Sequence, residues 1–475
     1  MSQPNTGFIK ALSRLDATAL VIGSMVGSGI FIVSAGILRE VGSPGLLLLV
    51  WGISGVLTLL GALTYGELAA MFPKAGGQYV YLRESISPLF GYLYGWTLFT
   101  VIQTGTIAAV AVAFARFTGI LVPAINDTMI LGGDVGKYHV GFTSQRILAI
   151  VSVILLTWVN IRGVKTAAFI QTSLTAIKTL SLAALIVLGV TVGRHAEAIA
   201  ANFGAGFWTG GGLTLAVLPV VGAAMVGSLF SMDAWNNVGF ASGEMKHPEK
   251  DLPFAMAVGV LTVVTIYLLA NVAYLHILPA DAIRLASTGS NPPIGAAALE
   301  GMFGSVGLMV MAVAVMISTF GCNNGLILSG ARVYYAMARD GLFFRSAGTL
   351  HPEHRTPSVA LVAQAVWTCV LCLSGSYGDL LDYVIFAALL FYMLTTVGLF
   401  ALRRARPDMV RPVRAPGYPW LPALYLIATA VFCVNLLFQK PLYTWPGLVI
   451  VALGIPVYFI WRRVGGGTME TSTAT

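Results

Sequence analysis

Residues 21–33, VIGSMVGSGIFIV, are apolar enough to cross a membrane and yet contain Gly23, Gly27 and Gly29. Glycine in a helix interior costs about 1 kcal/mol relative to alanine. Two interpretations are open. Small residues let helices pack closely, and Gly23 and Gly27 form a G-x-x-x-G pattern. Alternatively, the helix unwinds here, which leaves amide N–H groups at one half-helix start and carbonyl groups at the other half-helix end.

The composition indicates that lipid surrounds this stretch. Of the 475 residues, 57% are hydrophobic and only 10% are charged, whereas about a quarter of the residues are charged in soluble proteins. Continuous apolar runs long enough to cross a hydrocarbon core of about 30 Å recur along the chain. We therefore predict an all-α integral membrane protein. The twelve expected membrane helices lie at residues 17–39, 44–70, 88–121, 147–162, 167–192, 215–243, 252–277, 304–336, 357–375, 380–402, 419–437 and 444–461.

The net charge of +8 is explained by the topology of the chain. With the N-terminus placed in the cytoplasm, nineteen of the 27 Lys and Arg residues fall on the cytoplasmic side and six on the outer side. This asymmetry agrees with the positive-inside rule. It predicts a multi-pass protein of the plasma (inner) membrane with both termini in the cytoplasm, and it argues against a nucleic-acid partner.

The sixth expected span resembles the first because its centre is polar. Residues 230–241 have the sequence FSMDAWNNVGFA, and this span runs in the opposite direction to the first. Two interrupted helices of opposite direction predict an inverted repeat of five helices. The predicted division is a cytoplasmic N-terminus at 1–16, a first repeat at 17–192, a second repeat at 215–404, helices 11 and 12 at 419–463, and a cytoplasmic tail at 464–475.

Three side chains of the sixth span are candidates for function. Asp233 places a carboxylate in lipid, which indicates function unless the residue caps a helix or is paired inside the bundle. Trp235 either packs in the core or covers a substrate, and Phe230 is either a core residue or a gate. The charged residues that follow are expected to lie in water at the cytoplasmic end; they are Glu244, Lys246, His247, Glu249 and Lys250.

Lys178 is the single cation of the apolar run at residues 171–189. The Lys178 ammonium either snorkels to the interface or supplies a fixed or titratable charge near the broken helix.

An amino acid would fit a broken helix of this kind, since the carboxylate of the amino acid suits the N–H end of a half-helix and its ammonium suits the carbonyl end. No zinc signature, phosphate loop or nucleophile elbow occurs, so we predict no enzyme activity, no metal and no cofactor.

Longer motifs resemble a known family. The stretches IGSMVGSGIFIVSAGILREVGSPG, LTYGELAAMFPKAGGQYVYL and FSMDAWNNVGFASGEMKHPEKDLP resemble the APC superfamily of amino acid transporters, in particular its L-type amino acid transporter (LAT) branch. Residues 322–344, CNNGLILSGARVYYAMARDGLFF, agree with this resemblance. It implies the leucine-transporter fold, with a 5+5 inverted repeat, discontinuous helices 1 and 6, and alternating access.

The resemblance also implies roles for individual residues. Backbone amides at Ser28 and Gly29 would hold the substrate carboxylate, and carbonyls around residues 230–233 would hold its ammonium. Phe230 would be the outer gate and Trp235 would line the side-chain pocket. Lys178 would stand where sodium-coupled relatives bind a sodium ion. The implied substrate-binding residues are Met25, Gly27, Ser28, Gly29, Phe230, Ser231, Asp233 and Trp235.

The function implied is a sodium-independent L-amino acid transporter that exchanges small or medium neutral amino acids. Two alternatives stay open: a proton-coupled symporter in which Lys178 titrates, and an exchanger that also accepts cationic amino acids if Asp233 faces the pocket. Animal members pair with a heavy subunit through a cysteine, but residues 121–146 contain no Cys, so no disulfide-linked heavy subunit is expected. Met232 and Ala234 stand where the family commonly has an aromatic residue and a glycine.

Overall fold

The computed structural model of the chain describes residues 8–135, 138–208, 215–288, 291–373 and 377–464. These residues form α-helices joined by connections and one two-stranded hairpin, which confirms the predicted all-α membrane fold. Residues 1–7 of the expected N-terminal segment and residues 465–475 of the expected tail lie outside the described residues. The boundaries drawn between the two repeats stay predictions.

The first half of the chain contains both long membrane helices and shorter ones. The helices are α1 (Arg14–Met25), α2 (Gly29–Val41), α3 (Pro44–Met71), α4 (Gln78–Ser85), α5 (Pro88–Thr97), α6 (Gln103–Leu121), α7 (Ser144–Ile161), α8 (Val164–Thr191) and α9 (Ala196–Phe203). A π-helical turn, Leu98–Ile102, joins α5 to α6 so that they form one span. The strands β1 (Met129–Val135) and β2 (Tyr138–Thr143) form an antiparallel hairpin before α7, between the third and fourth predicted spans, where no strand is predicted.

The second half begins with a short helix and ends with three long ones. The helices are α10 (Leu218–Ser231), α11 (Asn237–Phe240), α12 (Pro248–Ile277), α13 (Ala280–Leu285), α14 (Ile294–Arg339), α15 (Ser358–Cys372), α16 (Tyr377–Ala405), α17 (Trp420–Gln439) and α18 (Pro441–Val464). Helix α14 breaks at Gly304, where φ is 61°. This break coincides with the predicted start of the eighth span.

The helices account for all of the predicted membrane spans. Within the described ranges, nine helices are long and apolar enough to cross a membrane, and the bent pair α1 and α2 forms a tenth candidate. The two remaining predicted spans, the sixth and the ninth, correspond to the shorter apolar helices α10 and α15. Each of the twelve predicted spans therefore contains a helix.

Local sequence explains where several helices begin and end. Ser13 and Asp16 form a capping box at the start of α1, in which the carboxylate accepts from the Ser13 amide at 3.0 Å and the hydroxyl accepts from the Asp16 amide at 3.3 Å. Gly42 ends α2 with a left-handed φ of 78°. Ser43 then caps α3, and Pro44 occupies its first position. These residues allow a tight reversal between the first two spans.

The polarity of the helix faces shows what surrounds the bundle. On α8, Gln171, Thr175 and Lys178 are buried, and their spacing of three to four residues places them on one face. Phe169 and Leu180 are 74% and 69% exposed. A helix with apolar side chains outside and polar side chains inside suits lipid surroundings, because polar groups in a membrane must find partners within the protein.

Helix packing brings the two interrupted spans together at the centre. Helix α1 contacts α8, α12 and α14, so it is surrounded on several sides. Helix α2 contacts α10, and α10 also packs against α3, α16 and α17. The break between α1 and α2 therefore lies next to the break that follows α10.

Candidate functional site

The first span is broken between α1 and α2. Residues 26–28 leave the helix, and the two helices bend by 40°. Val26 ends α1 with φ of −77° and ψ of 88°, and Gly29 begins α2 with Ser28 as its N-cap. The predicted discontinuity of helix 1 is therefore confirmed, and it lies within the stretch that carries the three glycines.

The close-packing interpretation of the glycines also holds. A Cβ atom on Gly23 would collide with the amide nitrogen Nε2 of Gln171. A Cβ atom on Gly29 would collide with the hydroxyl and Cβ of Ser231. Glycine thus lets α8 approach the first break, and it brings the end of α10 against the start of α2. The same residues that weaken the helix allow its neighbours to reach the backbone.

The Lys178 side chain occupies the carbonyl end of α1. Its Nζ donates to the carbonyl oxygens of Gly23 at 2.5 Å, Val26 at 2.7 Å and Ser318 at 3.4 Å. Carbonyl groups at a helix C-terminus carry partial negative charge, so the ammonium stabilises the broken end. The side chain is 1% exposed. The snorkelling alternative is therefore wrong, because the ammonium points into the bundle.

Helix α14 covers carbonyl groups of the same break from another side. The Ser318 hydroxyl lies 3.1 Å from the carbonyl oxygen of Val26 and 3.2 Å from that of Gly27, and it donates to them. The Cys322 thiol donates to the carbonyl oxygen of Ser24 at 3.0 Å. Ser318 and Cys322 are not among the predicted site residues. The two residues are four positions apart, which places both on one face of α14. This spacing is the sequence signal by which they could be found.

The amide end of the break is enclosed as well. The first amide groups of a helix have no partner within it, and the helix dipole favours an anion there. Ser28 is buried at this end of α2, and Gly29 packs against Ser231. Met25, another predicted site residue, is buried, and its carbonyl oxygen accepts from the Tyr267 hydroxyl at 3.0 Å. The broken end therefore lies inside the protein.

The sixth span is interrupted directly after α10, which confirms the second predicted discontinuity. Residues 232–236 are not helical, and the helix resumes at α11. Ala234 has φ of 68°, a left-handed conformation that is unfavourable for a residue with a Cβ atom. The carbonyl oxygen of Phe230 accepts from the Asp233 amide at 3.1 Å, and the Ser231 hydroxyl donates to the Gly227 carbonyl at 2.8 Å. The left-handed turn explains why a glycine suits position 234.

The Asp233 carboxylate faces another helix. Its Oδ1 accepts a hydrogen bond of 2.6 Å from the Tyr392 hydroxyl of α16, and the residue is 7% exposed. Trp235 packs beside this pair, with ring centroids 5.3 Å from Tyr392 and 4.9 Å from Tyr65. The two residues predicted to line the pocket therefore belong to one cluster of aromatic and acidic side chains.

Two cavities adjoin this cluster, and Asp233 and Tyr392 line both. The first has a volume of about 20 Å³ and an apolar wall that includes Leu229, Ile385 and Phe432. The second has a volume of about 10 Å³ and is lined by several side-chain amides: Gln78, Gln103, Asn236 and Asn237. The walls of these two cavities do not include the predicted site residues Ser28, Gly29 and Phe230. Across the described ranges, no three His, Cys, Asp or Glu side chains lie together as metal ligands would.

Comparison with known sequences identifies the kind of protein that has this arrangement. The profile of the family described as amino acid permease matches residues 12–460. The chain belongs to the amino acid permease family. Both helix breaks therefore lie in an amino acid permease, and the resemblance to the APC superfamily is confirmed.

Relatives of this permease include transporters from bacteria and animals. It is 32% identical over 465 residues to the serine/threonine exchanger SteT of Bacillus subtilis, a match that covers 98% of this chain and 99% of SteT. It is 31% identical over 454 residues to the large neutral amino acids transporter small subunit 2 of Homo sapiens, covering 95% and 80% of the two chains. It is 31% identical over 458 residues to the Asc-type amino acid transporter 1 of Homo sapiens, covering 95% and 83%. These relatives confirm the similarity to the LAT branch.

The expected cytoplasmic end of the permease's sixth span differs from the prediction. Glu244 does not lie in water, because its carboxylate accepts from Arg332 Nη2 at 2.8 Å and Nε at 3.2 Å, and both side chains are 1% exposed. The Glu244 carbonyl accepts from the amides of Ala11 and Leu12 at 2.9 Å each. Lys246 is exposed, as predicted. The chain before α1 therefore lies against a buried ion pair between the sixth span and α14.

Proposed function

We propose that this permease is a sodium-independent exchanger of small or medium neutral L-amino acids that works by alternating access. The observation that carries the proposal is the meeting of two helix breaks at Gly29 and Ser231, with the Lys178 ammonium already bound to the carbonyl end of α1. Because a protein cation fills this carbonyl cluster, a sodium ion is not needed to stabilise the break. Names of the relatives, which are exchangers and transporters of amino acids, support the same function.

The substrate is proposed to bind at the two breaks. The amides of Ser28 and Gly29 would bind the carboxylate, because the start of α2 favours an anion. Carbonyl groups around residues 230–233 would bind the ammonium. Phe230 would act as the outer gate, and Trp235 would line the side-chain pocket. Met25, Gly27 and Ser231 would complete the walls, and their burial supports this placement.

The preference for neutral substrates is proposed from the environment of Asp233. Its carboxylate is hydrogen-bonded to Tyr392, so it does not offer an unpaired negative charge to a cationic side chain. A buried charge without a partner is costly, and the Tyr392 hydroxyl reduces that cost. This arrangement supports the neutral exchanger over an exchanger that also accepts cationic amino acids.

The proposed setting in the cell follows from the sequence. Both termini would lie in the cytoplasm of a plasma (inner) membrane protein, since positive charges concentrate on that side. The first repeat would span residues 17–192 and the second residues 215–404. No disulfide-linked heavy subunit is expected, because residues 121–146 contain no Cys. The permease would transport its substrate without changing it chemically.

Counterflow in liposomes tests the proposed function. Purified permease is reconstituted with Ala, Leu, Lys or Glu inside the vesicles, and uptake of radiolabelled Ala or Leu is measured with and without sodium at two pH values. We expect uptake that requires an internal neutral amino acid and does not change with sodium. Uptake into empty vesicles that follows a pH gradient would contradict exchange and support the proton-coupled symporter.

A further inference from the structure

A basic segment joins α16 to α17. Residues 403–420, RRARPDMVRPVRAPGYPW, which we name the arginine loop, contain five arginines and one acidic residue, Asp408. Helix α16 ends at Ala405 and α17 begins at Trp420. The loop therefore lies where two membrane helices leave the lipid, next to the headgroups of one leaflet.

Two of the five arginines fasten the loop to α3. The Glu67 carboxylate is completely buried and accepts from Arg403 Nε at 2.9 Å. Arg411 Nε lies 3.2 Å from the same carboxylate, and the Ala415 amide donates to it at 2.7 Å. The Arg403 guanidinium also lies 3.7 Å from the ring centroid of Tyr418. The loop is consequently held in one shape by internal contacts.

The remaining three arginines point away from these contacts. Arg404, Arg406 and Arg414 are exposed. No acidic side chain in the described ranges forms an ion pair with any of them. Asp408, which is exposed as well, supplies one negative charge against these three positive charges. A fixed loop therefore presents an excess of unpaired guanidinium groups.

Two apolar side chains indicate how deeply the arginine loop lies in the membrane interface. Val410 is 81% exposed and Trp420 is 79% exposed. Tryptophan is enriched where membrane helices meet the headgroup region. Valine at an exposed position of a basic loop is favourable when it enters the boundary between headgroups and acyl chains. Both residues therefore place the three arginines at the level of lipid phosphates.

We infer that the arginine loop is a binding site for anionic phospholipid headgroups. Arg404, Arg406 and Arg414 bind the phosphate groups, because a guanidinium donates two parallel hydrogen bonds to phosphate oxygens. Val410 and Trp420 enter the boundary of the leaflet. With the proposed topology, this leaflet is the cytoplasmic one, where anionic lipids attract basic segments beside membrane helices. The site is separate from the helix breaks and does not depend on the transported substrate.

Native mass spectrometry of lipid-bound permease tests this site. The permease is purified from nanodiscs that contain equal amounts of phosphatidylcholine and phosphatidylglycerol, and bound lipids are counted. We expect phosphatidylglycerol to be enriched on the wild type. Each arginine is expected to contribute about fivefold in affinity, so the variant R404Q/R406Q/R414Q loses about 100-fold. The variant R404K/R406K/R414K is expected to keep part of the enrichment, because it keeps the charges but loses the paired hydrogen bonds of the guanidinium groups.

A matched control also removes three positive charges, but from other positions on the expected cytoplasmic side. Three exposed lysines lie outside the arginine loop: Lys165, Lys246 and Lys250. The variant K165Q/K246Q/K250Q is expected to retain the wild-type enrichment. Equal loss in this control would overturn the proposal in favour of a general charge effect, and so would unchanged enrichment in R404Q/R406Q/R414Q. Displacement of the lipid by inorganic phosphate alone would show an ion site and not a lipid site.

Two further measurements separate lipid binding from folding. Counterflow in phosphatidylcholine vesicles reports whether R404Q/R406Q/R414Q is folded, and we expect it to be active. If that variant does not fold, a salt titration of the wild type decides, since enrichment must fall as salt screens the arginines. Enrichment that is unchanged at high salt would contradict the inference. The variant V410S/W420A is expected to weaken binding without removing its salt dependence.

Discussion

The Nζ atom of Lys178 lies 2.5 Å from the carbonyl oxygen of Gly23, so a side chain of α8 binds the broken end of α1. A hydrogen bond to a charged group contributes about 1.5–3 kcal/mol, and a buried carbonyl left without a partner costs a similar amount. A Cβ atom on Gly23 would also collide with the Gln171 and Thr175 side chains of α8. The ammonium group therefore helps to hold α1 against α8, together with the hydrogen bond from the Thr175 hydroxyl to the Ala19 carbonyl at 3.2 Å.

Lys178→Ala is expected to reduce amino acid exchange far more than it reduces expression. The substitution removes the donor to Gly23 and Val26 and leaves both carbonyl oxygens buried. A loss of at least about tenfold in the counterflow rate follows if only one of these hydrogen bonds is needed for the working conformation. The measurement is counterflow at several pH values, normalised to the amount of reconstituted protein.

Lys165→Ala provides the control for this experiment. Lys165 lies on the same helix but is exposed, so its substitution is expected to leave the exchange rate unchanged. Normal uptake by Lys178→Ala across the pH range would show that the ammonium has no role in coupling. A wild-type rate that depends on pH, together with a residual rate in Lys178→Ala that does not, would instead favour the proton-coupled symporter.

The sequence predicts the fold well because lipid imposes strict patterns. Each of the twelve expected spans contains a helix, and the break in the first span falls within the stretch that carries Gly27 and Gly29. Long apolar runs identify a membrane helix by themselves, since no partner is needed to interpret them. The hairpin of β1 and β2 has no such pattern, which explains why it is not among the predicted elements.

The site is less predictable because side-chain orientation depends on distant residues. Asp233 is recognisable as a functional candidate, but its partner Tyr392 is 159 residues away, and only the structure shows that the carboxylate faces α16. The burial of Glu244 could not be predicted for the same reason. Its neighbours in sequence form a run of charges that indicates a position in water, whereas its partner Arg332 lies 88 residues further along the chain.

Glu244→Ala is expected to destabilise the permease strongly. It leaves the Arg332 guanidinium buried without a counter-charge, which costs about 3–5 kcal/mol. The measurement is thermal unfolding in detergent. Asp281→Ala is the control, because Asp281 is 89% exposed in its ion pair with Arg284, and exposed pairs contribute about 1 kcal/mol or less. Similar losses of stability in the two variants would contradict a special role for the buried pair.

The double variant Glu244→Leu, Arg332→Met separates charge from packing. Replacing both charges by apolar groups of similar size is often neutral for stability. We expect the double variant to unfold at a higher temperature than Glu244→Ala. If it is also slow in counterflow, the ion pair is needed for movement between conformations as well as for stability.

Asp233→Asn is expected to keep exchange of neutral amino acids and to remove any uptake of cationic ones first. Asparagine retains a carbonyl oxygen that accepts from Tyr392. Tyr392→Phe is expected to be more damaging, because it leaves the buried carboxylate of Asp233 without this donor, at a cost of about 1–3 kcal/mol or more. Counterflow with Ala, Leu and Lys measures both variants. Equal loss of all substrates in Asp233→Asn would indicate a structural role for the carboxylate.

Gly23→Ala is expected to reduce stability even though alanine is the better helix former. Helix propensity alone favours alanine by about 1 kcal/mol, but the new Cβ would collide with Gln171 and Thr175 of α8. Overpacking of this kind costs about 1–3 kcal/mol. Gly52→Ala on α3 is the control, since a Cβ there meets no atom within 4 Å. We expect Gly52→Ala to unfold at the wild-type temperature or slightly above it, and Gly23→Ala below it with slower counterflow. If the two variants behave alike, Gln171 and Thr175 can move aside, and close packing does not require a glycine at position 23.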